Sequence, residues 1–209
     1  MGANPSNSKT HWETIYSNKQ ANEVSWYQEH AKASLQLIAG TGVGKNARII
    51  DVGGGASVLV DDLLDEGYRD VTLLDISGVA IRNVQKRLGE RAASVIWLEA
   101  DITQVRLPDA AYDIWHDRAV FHFLTNVLDR ELYVSAVKQA LKPGGHVIIA
   151  TFGSDGPFKC SGLDTMRYSP DELHAQFGDY FQLVDSVREV HHTPFGTEQS
   201  FVYCYCRRS

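Results

Sequence analysis

The sequence predicts a doubly wound α/β fold, a mostly parallel sheet with helices on both faces. Three observations predict it. The run Arg48-Ile49-Ile50-Asp51-Val52-Gly53-Gly54-Gly55 reads as a buried strand that ends in an acid and breaks into a glycine loop. Between residues 47 and 151, short apolar runs alternate with helix-length segments, the pattern of βα units on a parallel sheet. Two long strand-like segments, 181–190 and 199–207, then close the chain as an antiparallel hairpin across a turn at 191–196.

Each element has a local reason. Residues 12–16 form a short helix candidate and 17–23 a polar loop. A second helix is expected from about Ser25 to Ala39, where Gly40-Thr41-Gly42-Val43-Gly44 stops it. Strand 47–52 leads through the glycines to a helix over 58–66, closed by Gly67. Strand 71–75 ends in Asp75, and Ser77 is a natural N-cap for a helix ending near Leu88-Gly89. Strands follow at 94–98, with Asp101 just beyond, and at 112–116. A helix over 129–141, the turn Lys142-Pro143-Gly144-Gly145 and a strand at 146–151 complete the alternation. Ser169-Pro170-Asp171-Glu172 supplies an N-cap and an N1 proline for a helix to about Phe177.

The chain of 209 residues is expected to form one domain: a helical cap at 1–40, a core at 47–151, and a lid loop, helix and hairpin at 152–209. A net charge of -6 argues against a broad nucleic-acid face, which needs a basic surface. No apolar run is long enough to span a bilayer, and residues 1–10 lack the apolar segment of a secretory signal, so a cytoplasmic protein is expected. Met1-Gly2 is a weak match to a myristoylation start. Cys160, Cys204 and Cys206 are an odd set that suits a reducing compartment. Cys204 and Cys206 share one strand face and read as packing residues, and no metal site is expected.

Strand, glycine turn, helix, strand, acid is the layout of a nucleoside-cofactor site. Glycines permit close backbone approach, and Asp75 can accept from both ribose hydroxyls. Asp51 can also be read as a cap of the next helix and Asp75 as a loop acid before a Ser-capped helix, and acids such as Asp101 often follow strands. A dinucleotide is disfavoured because it needs a second half-site, whereas this C-terminus is a hairpin.

Asp51-Val52-Gly53-Gly54-Gly55, Asp75, Asp101-Ile102 and Leu141-Lys142-Pro143-Gly144-Gly145, in that order, resemble the class I methyltransferases that use S-adenosylmethionine. The resemblance runs from about Trp12 to the last strand. It implies a seven-stranded Rossmann-like sheet of order 3-2-1-4-5-7-6 with strand 7 antiparallel. It implies S-adenosyl-L-methionine as cofactor and S-adenosyl-L-homocysteine as product. The implied cofactor residues are Trp12, Tyr16, Trp26, Asp51, Gly53, Gly55, Asp75, Ile76, Asp101, Ile102 and His116. In that set Asp51 serves the ammonium, Asp75 the ribose and Asp101 the adenine amino group. The Ile102 amide serves a ring nitrogen, with Ile76 and Ile102 sandwiching the adenine, and Trp26 lies over the sulfonium.

Trp115-His116-Asp117-Arg118-Ala119 is similar to the W-D-R-A/G stretch of the thiopurine methyltransferases, as are residues 128–133 and Val24-Ser25-Trp26-Tyr27-Gln28. Small protein-lysine methyltransferases share the N-terminal layout and carry D-K/R-G-T after strand 4, which Asp117-Arg118 matches only at its first two positions. No Asn/Asp-Pro-Pro-Tyr segment is present, which disfavours nucleobase and glutamine amino groups.

A small-molecule acceptor is expected first, since the chain is barely larger than the bare fold and shows no docking extension. A protein lysine is second, and a non-catalytic cofactor-binding module is the rival from another class. An aminopropyl transferase lacks its acidic segments here. No nucleic-acid or membrane partner is expected, and the oligomeric state is not legible.

Asp117, His116 and His122 are the candidate catalytic residues, nearest to act as a base. Asp117 and Arg118 read equally well as a helix cap that pairs with itself, and His122 as a packed helix residue. Residues 152–163 are a lid or a plain loop, and His191-His192 reads as a solvated turn.

Overall fold

The computed structural model describes residues 5–209, so Met1-Gly2 lies outside the described residues. The apolar runs become strands β1 (Arg48–Val52), β2 (Asp70–Asp75), β3 (Val95–Glu99), β4 (Tyr112–Arg118) and β5 (Leu141–Phe152). They pair in parallel, with Asp51 of β1 opposite Leu73 on one side and His116 on the other. A two-stranded ribbon follows, β6 (Lys159–Cys160) and β7 (Leu163–Asp164). The hairpin β8 (Phe181–His192) and β9 (Glu198–Arg208) completes the main sheet, with β9 antiparallel to β5 and to β8. The order is β3-β2-β1-β4-β5-β9-β8, which is the expected arrangement with the small ribbon set aside.

The helices are α1 (Pro5–Asn18), α2 (Lys32–Gly40), α3 (Leu59–Asp65), α4 (Gly78–Leu88), α5 (Val127–Ala140) and α6 (Pro170–Phe177). Strand residues alternate between two apolar layers. Ile49 and Ile114 pack with Ile38, Leu59 and Val84 of α2, α3 and α4. Ile50 and Trp115 pack with Tyr133, Val137 and Leu173 of α5 and α6. The caps form as the sequence predicts: the Ala80 amide donates to Ser77 Oγ at 3.1 Å, and Ser169 and Glu172 make a reciprocal capping box.

The N-terminal helices differ from expectation. α1 is a full helix and not a short one, while α2 starts at Lys32 and not near Ser25. The carbonyls that a helix over 25–31 would use internally are taken by distant groups. His191 Nε2 donates to the Ser25 carbonyl at 2.7 Å, and Arg118 Nη1 donates to that of Trp26 at 3.4 Å. The Asp62 carboxylate then receives the Ala31 amide and His30 Nδ1, both at 2.8 Å.

β4 runs two residues past its expected end. Asp117 and Arg118 therefore point to opposite faces and do not pair with each other. A 3₁₀ turn at Phe121–Phe123 follows, and α5 begins under the Asn126 cap. The turn at Lys142 to Gly145 bulges from β5 opposite Asp113, which accepts from Lys142 Nζ at 2.8 Å. His191-His192 is not a solvated turn: both residues belong to β8, and His191 is buried. Cys204 and Cys206 are buried on one face of β9.

Behind β4, Trp115 Nε1 donates to Tyr133 Oη at 2.9 Å, and that hydroxyl donates to Asp117 at 2.6 Å, all in the core. Tyr133→Phe strips a partner from two buried polar groups. It should cost about 1–3 kcal/mol, seen as a lower urea midpoint at unchanged slope. An unchanged midpoint would show that this chain carries no stability.

Candidate active site

A cavity of about 370 Å³ opens at the carboxyl ends of the parallel strands. It lies beside the point between β1 and β4 where strand order reverses, the usual ligand crevice of open α/β sheets. Its lining includes Trp12, Tyr16, Trp26, Gly53, Asp75, Ile76, Asp101 and Ile102 from the expected set.

At the end of β2, Asp75 is buried but reaches the cavity. Its carboxylate accepts the Gly55 amide at 2.9 Å and the Ser77 amide at 2.8 Å, tying the glycine loop to the start of α4. Burial pushes the carboxyl up to about 7, against those two amides, with the negative charges of Asp51 and Glu13 adding to the rise. A Cβ at Gly55 would stand 2.5 Å from Asp75 Oδ2, and only glycine lets the loop come this close. Gly53 has φ 71° and would place a Cβ 1.9 Å from Val120 Cγ2. The glycines therefore fit the loop to its own acids and walls.

Asp101 Oδ1 accepts from the amide and hydroxyl of Thr103 at 2.9 and 2.7 Å, which holds the turn after β3. Ile102 is buried and Ile76 half-buried on the same cavity side. α1 supplies a roof. Trp12 stacks on Tyr16 at 6.0 Å between ring centroids and meets Trp26 and Phe123 edge-on at 5.8 and 5.1 Å. Glu13 anchors this helix by accepting the Gly78 amide at 2.8 Å.

The remaining expected residues do not line the cavity. Asp51 is buried behind the loop, with Oδ1 accepting from His116 Nδ1 at 2.7 Å. His116 Nε2 meets Ser34 Oγ at 2.8 Å, so both ring nitrogens are occupied. Asp51 Oδ2 has no protein partner, a buried acceptor left open beside the loop. Asp117 is fully buried and receives the Val120 and Phe121 amides at 2.8 and 3.1 Å. Burial raises its carboxyl to about 6. His122 is also fully buried, accepts the Phe152 amide at 3.2 Å, and is held by burial at about 3. A ring that weak, behind the wall, is poorly suited to take a proton from an acceptor.

Phe152, Cys160 and Leu163 of the candidate lid segment line the cavity, and so do residues that the sequence did not single out: Arg118, Phe123, Phe201, Asp129 and Asp164. Arg118 was readable in principle, since extending β4 by two residues puts it on the face opposite Asp117. Phe201, Cys160 and Asp164 come from distant segments that only packing brings to the cavity.

This sheet order, with the cavity at its switch point, defines the class I methyltransferase fold. A family profile described as a methyltransferase domain matches residues 50–149. The chain is 27% identical over 142 residues, 68% of its length, to the eEF1A lysine and N-terminal methyltransferase of Mus musculus. It spans about a fifth of the length of that relative and of its bovine and human counterparts.

Among solved structures, one from the conversion of a disulfide bond into a thioacetal group during echinomycin biosynthesis superposes with TM-score 0.79 at 17% identity, covering 97% of this chain and 92% of the other. The Burkholderia thailandensis 1,6-didemethyltoxoflavin-N1-methyltransferase, with bound S-adenosylhomocysteine, superposes with TM-score 0.68 at 20% identity, covering 99% and 91%. The chain therefore has the class I S-adenosylmethionine-dependent methyltransferase fold, with the methyltransferase-domain profile lying on its core.

Gly53→Ala should destabilise through backbone strain of about 1–3 kcal/mol and through collision with Val120. In a Val120→Ala background the collision is gone, so the penalty of Gly53→Ala in chemical denaturation should shrink. Equal penalties in both backgrounds would assign the whole cost to the backbone.

Proposed function

We propose that the chain transfers the methyl group of S-adenosylmethionine to a small-molecule acceptor. The observation that carries this is Asp75: a buried carboxylate at the end of β2, facing a cavity that Asp101 and Ile102 also line and whose roof is aromatic. Asp75 would take the ribose hydroxyls, and Asp101 and Ile102 the adenine, while Asp51, buried behind the glycine loop, would place negative charge on the ammonium's side of the site. When bound, the cofactor supplies an electrophilic methyl group on a sulfonium.

The chain's own residues orient and shield. The rings of Trp12, Tyr16 and Trp26 offer π faces suited to a cation and exclude water. Asp117 acts through the turn it holds, since its grip on the Val120 and Phe121 amides keeps Val120 and Phe123 in the wall. His116 acts by fixing which oxygen of Asp51 stays free. Alignment of acceptor and methyl supplies most of the rate in an in-line displacement, which suits a thiol or another acceptor that ionises readily.

Roof residues and the ribbon residues Cys160, Leu163 and Asp164 line one cavity of about 370 Å³, a size that supports a small acceptor. A protein-lysine acceptor is the second reading. Asp129 and Asp164 among the lining residues suit an ammonium, and the mouse relative is named for lysine methylation. A radiolabelled methyl-transfer screen against thiols, small acids and whole-cell protein decides between them. Label in small molecules is expected, and label only in protein would reverse the order.

Cofactor affinity should depend on pH through Asp75. The hydroxyl-accepting form is the carboxylate, and the group titrates near about 7. Binding of S-adenosylhomocysteine should therefore weaken as pH falls below that value, by about tenfold per unit. Asp75→Asn should bind weakly with a flat profile in calorimetry. A wild-type profile that is flat from acid to neutral pH would remove Asp75 from the site. Trp26→Ala should keep the melting temperature and lose about tenfold or less in cofactor affinity; unchanged binding and turnover would reject Trp26 as part of the roof.

A further inference from the structure

We propose that Arg118 is the carboxylate-recognition residue of this cavity, taking the amino-acid carboxylate of the cofactor or a carboxylate on the acceptor. The inference rests on the reading that the cavity binds S-adenosylmethionine.

Arg118 is the only lysine, arginine or histidine among the described residues that line the cavity, whose other charged members are Asp75, Asp101, Asp129 and Asp164. Its side chain is 10% exposed, so its charge is poorly screened by water. The guanidinium lies 4.2 Å over the Phe201 ring, with Nε donating to Tyr203 Oη at 3.1 Å. Nη1 reaches the Trp26 carbonyl and Nη2 reaches Glu189 Oε2, each at a long 3.4 Å. A guanidinium has five N–H donors, so donors remain unspent, and their planar fork matches a carboxylate.

Glu189 does not consume this charge in a tight pair. It receives Gln28 Nε2 at 2.8 Å and the Tyr203 hydroxyl at 3.1 Å, both shorter than its contact with Arg118. Tyr203 thus accepts from Arg118 and donates to Glu189, holding the fork in place from behind. Burial and the Arg118 charge hold His122 at about 3 and lower His191, which weakens both rings as competing cations beside it. The position suits either source, because Arg118 ends β4, next to the glycine loop on one side and to Phe152 and Phe201 on the other. Acidic groups elsewhere in the cavity favour a monoanion over a phosphate dianion.

Calorimetry separates the sources. The probes are S-adenosylhomocysteine, 5′-methylthioadenosine, which lacks the amino-acid carboxylate, and benzoate added to protein saturated with S-adenosylhomocysteine. If the cofactor is the source, Arg118→Gln weakens S-adenosylhomocysteine by about tenfold or more and leaves methylthioadenosine unchanged. If the acceptor is the source, S-adenosylhomocysteine binding is unchanged while benzoate binding, present in the wild type, is lost. Arg118→Lys, with the charge but not the fork, should fall between.

Arg118→Gln/Glu189→Gln removes the stranded carboxylate and serves if the single variant does not fold. A folded variant that binds S-adenosylhomocysteine and benzoate as the wild type does overturns the proposal, even if its melting temperature is lower. Failure of the wild type itself to bind S-adenosylhomocysteine would instead overturn the proposed function.

Discussion

The end of β4 is where the two helical layers and the cavity are locked together. Consecutive residues of a strand face opposite sides, and here both carry polar groups into the interior. His116 turns to one face, between Asp51 of β1 and Ser34 of α2. Asp117 turns to the other, where Tyr133 of α5 and two amides of the following turn meet it. Each group would be costly to bury alone, so each fixes its partners in place. The relative position of β1, β4, α2 and α5 follows, and with it the shape of the crevice between the central strands.

The cavity itself is assembled by a second tier of contacts between elements far apart in the chain. Glu13 caps α4 from α1, which brings Trp12 and Tyr16 over the glycine loop. Asp62 on α3 holds the start of α2, and His191 and Arg118 hold the segment that carries Trp26. The roof is therefore pinned at both ends by charged or hydrogen-bonded groups, while the rings between are held only by edge and face contacts.

Asp75 shows how closely site and scaffold are joined. The carboxylate that faces the cavity also binds the loop to α4; burial makes it a weaker acid, and the two amides it holds offset part of that shift. Asp51 lies wholly on the scaffold side, with one oxygen bonded to His116 and the other buried without a protein partner.

Most of the fold was legible because its signals are local. The run at 48–55, the capping serines 77 and 169, and the alternation of apolar and amphipathic segments depend on neighbours a few residues away, and the strand order follows the family resemblance. The expected residues Gly53, Asp75, Asp101 and Ile102 do line the cavity, since they sit at or just after strand ends. What was not legible came from distance. The helix expected at 25–31 gave way because its carbonyls found donors on β4 and β8. Asp117 proved to be buried and Arg118 to line the cavity because two further residues of β4 set them on opposite faces, while His122 is buried in the turn that follows. Local periodicity and turn chemistry are written residue by residue and determine the elements and the end of the sheet at which a ligand can sit. Which side chains share that space depends on long-range burial and hydrogen bonding, and these form only once the layers have packed.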